Sequence, residues 1–397
     1  MRGMNARRRN RLSWMGAAAA AAMLLAACGG SAAPAASSAS SPAGGASAAK
    51  PAGSTPGSAS AKPAASGAAS AAAGTVRLME LTPSPDPNLS YALETQELGL
   101  FQKHGVNVEI QHAGGGGPQK VQILVSGSTD ITMTDIISYY SAAYQSKDLT
   151  AIFAPVARFG VPVAAAPNIA KVDDLKGKQV SVPSLAGAAR FLMTMAFEKQ
   201  GVKDQDIKWL AIPDTSESLK AIVAGRVPAG YISTAAIPLI QQDPQYQGKV
   251  HVLMPSTAEY TPPWPNFEFI TKKAWLQQHL DEAERIDEAL LEMERTFSKD
   301  QTAYATTANK IFPALSVDQA KDVWKLLTDT GNWADNGGIN FPGLQTALDT
   351  YLKAQNLQPN GNLSKAQDAF DTAPLKAALD KMGVVSDSKD VPDWYKK

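Results

Sequence analysis

Cysteine is almost missing from this chain: of 397 residues, Cys28 alone carries a thiol. That excludes an internal disulfide framework, and it leaves nothing downstream of residue 28 for thiol catalysis or a cysteine-ligated metal. Histidine is also scarce, and His104, His112, His251 and His279 form neither an HExxH helix nor a pairing with cysteine. The Gly-x-Ser-x-Gly elbow of serine hydrolases is absent too. There is no excess of positive charge, with 37 basic and 37 acidic residues, so nothing points to a nucleic-acid partner. The balance is uneven along the chain. Residues 1–74 hold seven of the basic residues and none of the acidic ones, which leaves 30 against 37 in the remainder. Beyond residue 27 no apolar run is long enough to cross a membrane.

The N-terminus reads as an address. Arg7, Arg8, Arg9 and Arg11 form a basic region, and 16 mostly apolar residues separate Arg11 from Cys28. That stretch is short and alanine-rich beside the ~20 residues of a membrane span, which fits a cleaved export signal over residues 1–28. The site Leu25-Ala26-Ala27-Cys28 resembles the bacterial lipobox, in which the cysteine thiol is lipidated and becomes the first residue. Arg11 stands where a twin-arginine signal has an apolar residue, so that export route draws little support. Residues 29–74 use only Gly, Ala, Ser, Pro, Lys and Thr. Such a segment has no apolar surface to offset the entropy of ordering and is expected to be disordered. A flexible chain of 46 residues reaches about 37 Å, which suits a tether between a lipid and a soluble body.

The remaining 323 residues are long for a single core and point to two lobes. Short apolar runs alternate with helical patterns, the signature of an α/β fold. Strands are expected at 75–81, 106–111, 130–133, 151–155, 161–166, 179–183, 208–212, 229–233, 250–254 and 267–270. Helices are expected at 91–104, 119–126 and 185–199, with another opened by Asp214 and Glu217 at capping-box spacing. From Lys273 onward the pattern is helical. Setting Gly127 on Gly225, an offset of 98 residues, places Val121, Leu124 and Val125 on Leu219, Ile222 and Val223. The two halves therefore read as lobes built on one plan.

The order of these pieces is familiar. Leu98-Gly99-Leu100-Phe101-Gln102-Lys103-His104-Gly105-Val106, then Gly115-Gly116-Gly117-Pro118, then Leu124-Val125-Ser126-Gly127-Ser128-Thr129-Asp130, resembles the nitrate/sulfonate/taurine-binding (SsuA/NMT1-like) branch of periplasmic solute-binding proteins. Asp174-Leu175-Lys176-Gly177-Lys178, Pro183-Ser184 and Ala224-Gly225-Arg226-Val227 continue it, so that the resemblance spans roughly residues 75–390. Pro228 departs from the acidic residue usual there, and the cysteine-rich motif of the related pyrimidine-synthase branch has no counterpart. The resemblance implies a type II periplasmic binding protein: two doubly wound α/β lobes joined by two hinge crossovers, near 156–161 and 261–267. One lobe is then 75–157 with 265–397, the other 158–264. It also implies a monomer without cofactor that hands a small molecule to an ABC permease and ATPase, held to the membrane through lipidated Cys28.

In such sheets, ligands sit beyond the carboxyl ends of strands, against helix N-termini. Gly115, Gly116 and Gly117, Thr134 and Asp135, and Ser184, Gly187 and Ala188 stand at such points. Free N–H groups there favour an anion without a basic side chain, so an anionic solute of the nitrate, sulfonate or taurine type is expected, with neutral heterocycles left open. Thr82, Ser84, Thr134 and Ser233 supply polar side chains at strand ends. Arg190 and Arg158 either pair with the ligand or sit on solvated faces. Tyr91, Tyr231 and Trp264 wall its apolar part or pack in the core. An enzyme related to the pyrimidine-precursor synthases and a ligand-binding sensor component are the alternatives.

Overall fold

The computed structural model describes residues 74–82 and 86–395. The expected export signal, Cys28, nearly all of the expected tether and Ser84 lie outside the described residues. Ten strands follow in chain order. The first five are β1 (Val76–Met79), β2 (Val108–Gln111), β3 (Ile131–Asp135), β4 (Leu149–Phe153) and β5 (Val163–Ala165). The others are β6 (Gln179–Val182), β7 (Lys208–Ala211), β8 (Ala229–Tyr231), β9 (His251–Met254) and β10 (Phe267–Lys272). Each falls on an apolar run marked in the sequence. Strands β3 and β4 are buried along their whole length, the mark of a sheet covered on both faces.

Two five-stranded sheets result, ordered β2-β1-β3-β10-β4 and β7-β6-β8-β5-β9. The plan is the same in both. The first strand pairs in parallel with the second and third. The strand inserted beside the third is antiparallel and arrives from the other half of the chain. The repeated glycines do equivalent work: Gly127 and Gly225 both take left-handed backbone, at φ 81° and 68°, and stop the preceding helix.

Two helices differ from the sequence reading. The run over 91–104 breaks into Tyr91–Glu97 and Leu100–Lys103, because Gly99 turns left-handed between them at φ 71°. Helix Ala236–Gln242 carries no amphipathic signal, since its first five residues are all buried. At the predicted capping box, Asp214 accepts from Ser216 N and Glu217 N, whereas the Glu217 carboxylate turns to Lys220.

The two crossovers, 154–162 and 255–266, bind each other. Val161 N donates to Thr257 Oγ1 at 2.9 Å, and Thr257 N donates back to Val161 O at 3.1 Å. Beside them Phe159 meets Phe267 edge-on, ring centroids 4.7 Å apart. The C-terminal helices pack mainly on the first sheet. Tyr140 Oη donates to Leu344 O at 2.8 Å and Tyr304 Oη to Pro87 O at 3.0 Å. Helix Val317–Thr330 reaches further, where Gln242 Nε2 donates to Asp322 Oδ2 at 2.7 Å from the second lobe. Among the described residues no helix is long and apolar enough to cross a membrane.

Candidate functional site

The lobes meet where β3 ends. Asp135 closes that strand and caps helix Ile136–Gln145, its Oδ1 accepting from Ser138 N at 3.0 Å and its Oδ2 from Ser138 Oγ at 2.7 Å. The same Oδ1 accepts from Ala188 N at 2.9 Å. Ala188 opens helix Ala188–Glu198 of the other lobe. One carboxylate thus lies on the positive ends of two helices, each equivalent to about half a charge.

Glycine makes this approach feasible. A Cβ on Gly117 would fall 1.9 Å from Asp135 Oδ2, and one on Gly116 would fall 2.7 Å from the Ser184 Cβ of the facing lobe. Gly115 needs its freedom for a different reason, a φ of 92°. Lys120, buried one turn into helix Gly117–Ser126, fastens the glycine loop by donating from Nζ to Ala113 O.

Behind this contact lies a cavity of about 50 Å³, room for a water or two. Its walls include Leu81, Leu89, Phe159, Phe267, Pro213 and Tyr231, and no Lys, Arg or His lines it. Asn266 and Thr82 also line it. Asn266 is fully buried, and neither its Oδ1 nor its Nδ2 has a hydrogen-bond partner; the buried Thr82 Oγ1 has none either. Buried polar groups are nearly always paired, and leaving one unpaired costs about 1–3 kcal/mol.

Of the residues expected from the sequence, Gly115, Gly116, Gly117, Asp135, Ser184, Gly187, Ala188 and Tyr231 come together around this cavity. Thr134 lies just behind, its Oγ1 donating to Gly117 O at 3.1 Å. Ser233 Oγ lies 2.9 Å from both Asp86 Oδ1 and Asn88 Oδ1, beside a second cavity of about 380 Å³. The others stand apart. Arg190 turns outward, 2.7 Å from Asp204 and 5.7 Å from the centre of the Trp209 ring. Arg158 Nη2 donates to Ala258 O at 3.0 Å, joining one crossover to the other. Trp264 is buried on the outer side of that crossover, lining a cavity with Arg158. Tyr91 sits in the first lobe's core, its hydroxyl accepting from Asn332 Nδ2 at 3.2 Å. His104, expected at a helix C-terminus, lies between Glu288 at 2.9 Å and Glu292 at 2.8 Å. Asn266 was not anticipated. Its only sequence signal is a lone amide between Pro265 and Phe267 in the returning crossover.

The surroundings are acidic. Glu268, opposite Thr134 in the β3–β10 register, is fully buried with both carboxyl oxygens unpartnered. Burial first, and then Asp135, raise its pKa well above the usual carboxylate range. Burial also raises Asp135 against the donors that favour its charge. It pushes Asp86 up to about 6 and Glu80 up to about 7. Lys120 is driven the other way by burial, down to about 8. Among the described residues no group of three or more His, Cys, Asp or Glu side chains is placed to hold a metal.

Two like-ordered α/β sheets, joined by two crossovers and facing each other across a cavity, define the type II periplasmic binding protein fold. The chain belongs to the NMT1/THI5-like family, which matches residues 86–293. No curated protein matches it. Several solved structures share the fold. The alkanesulfonate-binding protein SsuA from Xanthomonas axonopodis pv. citri, bound to MOPS, is 18% identical with a TM-score of 0.60, covering 76% of this chain and 99% of its own. The ligand-binding component of an ABC-type import system from Staphylococcus aureus is 14% identical with a TM-score of 0.61, covering 77% and 98%. The periplasmic nitrate-binding protein NrtA from Synechocystis is 11% identical with a TM-score of 0.59, covering 81% and 92%.

Proposed function

We propose that this protein captures a small solute between its lobes and delivers it to an ABC importer, from a lipid on Cys28 and a tether over residues 29–74. The observation that carries this reading is the contact between lobes. A glycine loop and a strand-end carboxylate of one lobe close on a helix N-terminus of the other, over a cavity with unpaired polar groups. Hinge closure at two crossovers is how such a fold holds and releases cargo. The lobes are taken as 75–157 with 265–397, and 158–264. Helix Val317–Thr330, which touches the second lobe, is the element whose contacts must slip as they part. Two fold neighbours are named for binding an alkanesulfonate and nitrate, which raises an anionic cargo as one reading. Its main physical support, a free helix N-terminus at Ala188, is weakened because Asp135 already caps that end.

Anchor and partner are tested separately. Cys28→Ser should move the protein from the membrane fraction to the aqueous one, read by detergent-phase partition; continued membrane association would contradict lipidation. Cross-linking in native membranes should join the wild-type protein to an ABC permease identified by its sequence. Cross-linking to a receptor with a signalling domain instead would favour the sensor role.

A further inference from the structure

The polar groups around the cavity specify a ligand chemistry. Asn266 offers one donor-bearing nitrogen and one acceptor oxygen, both buried and both unpartnered. A single solute meets a planar amide edge on both sides when it carries a donor and an acceptor side by side. Thr82 Oγ1 adds a second unpaired hydroxyl on the same cavity. Asp135 Oδ2 accepts a single hydrogen bond, from Ser138 Oγ, and so retains acceptor capacity. No basic side chain lines the cavity, and an anion placed there would face the Asp135 carboxylate in a poorly solvated space, where like charges repel strongly. Ser184 and Thr215 apart, the rest of the wall is glycine backbone and apolar or aromatic side chains, which suits a flat body.

We propose that the cleft, once the lobes part beyond the cavity of about 50 Å³ seen here, takes an uncharged solute with an adjacent hydrogen-bond donor and acceptor, of the carboxamide, urea, lactam or N-heteroaromatic kind. Asn266 reads the donor–acceptor edge, and Asp135 takes a further N–H or O–H. Inorganic and sulfonate anions are excluded by Asp135. The inference rests on solute capture being the protein's function, and it names the class of solute. Asn266 sets specificity at a stability cost, because an amide without partners weakens the ligand-free fold.

The test is a thermal-shift titration of the full processed protein against two series. One contains nicotinamide, urea, 2-pyrrolidone and 2-pyridone; the other contains nitrate, sulfate and methanesulfonate. At a hundredfold excess over Kd, a member of the first series should raise Tm by about 5 °C, and the anions should leave it unchanged. Asn266→Leu, branched alike at Cγ, should abolish that response and raise the ligand-free Tm by a few degrees. Asp135→Asn keeps the shape, removes the charge and should admit the anions. A response to the anions alone in the wild type overturns the ligand class and leaves solute capture standing. Silence from both series overturns solute capture, and the ligand class with it. A first-series response that survives Asn266→Leu overturns the assignment of Asn266.

Discussion

Gly116→Leu is expected to weaken solute binding 10- to 100-fold while leaving each lobe folded. The glycine's own backbone is ordinary, at φ −90°, so a leucine there strains nothing locally. The conflict lies across the cleft. Its Cβ would stand 2.7 Å from the Ser184 Cβ and 3.5 Å from Pro183 O, so the closed pairing of lobes is overpacked and the open one is not. Overpacking costs about 1–3 kcal/mol, which depopulates the closed state and lowers apparent affinity by the same factor. Small-angle scattering should show a larger radius of gyration than wild type under the same conditions. Unchanged affinity and an unchanged radius would mean that this contact does not form on closure.

Stability should fall, not rise, between pH 5 and pH 7.5. Burial holds Glu80 at about 7, against an ordinary 4.5, and Asp86 at about 6, against 3.8. In the unfolded chain both ionise first, so the folded state binds more protons across this window. Their contribution is complete below the unfolded values and is lost as pH rises through the folded ones. A shift of about two units corresponds to roughly 3 kcal/mol for each group. Surface carboxylates held low by partners act at the acid end. Asp130 beside Arg77 and Asp204 beside Arg190 lose their contribution only as pH falls through their depressed values. The two effects occupy separate windows, with an optimum near the unfolded carboxylate values, at about pH 4. Tm should be about 5 °C lower at pH 7.5 than at pH 5.5. Glu80→Gln keeps an acceptor for Leu93 N, which Glu80 Oε1 binds at 2.9 Å, and should flatten about half of that slope. A wild-type Tm that rises over this interval would show that these groups are not buried as described.

Much of this organisation was legible in the sequence, and particular residues show why. Strands such as β3 and β4 are runs of Ile, Thr, Met, Leu and Phe bounded by turn residues, so their periodicity alone locates them. The same holds for Gly127 and Gly225, whose spacing exposes the repeated lobe plan. Asp135 was legible as a strand-end residue, but its second role was not. The bond to Ala188 spans 53 residues and depends on how the two lobes face each other. Arg190 and Arg158 show the same limit from the other side. A sequence displays their charge but not Asp204 or the Ala258 carbonyl, which hold them away from the cavity. Asn266 was hidden because its burial is created by the returning crossover, far from the glycine loop in sequence.

Native mass spectrometry of the protein released gently from its own membranes tests the central claim most directly. A one-to-one complex with a single small, uncharged solute is predicted for the wild type, with Gly116→Leu and Asn266→Leu both recovered bare. Bare wild-type protein that also stays silent with both compound series, or a wild type and variants carrying the same solute equally, would contradict capture between the lobes.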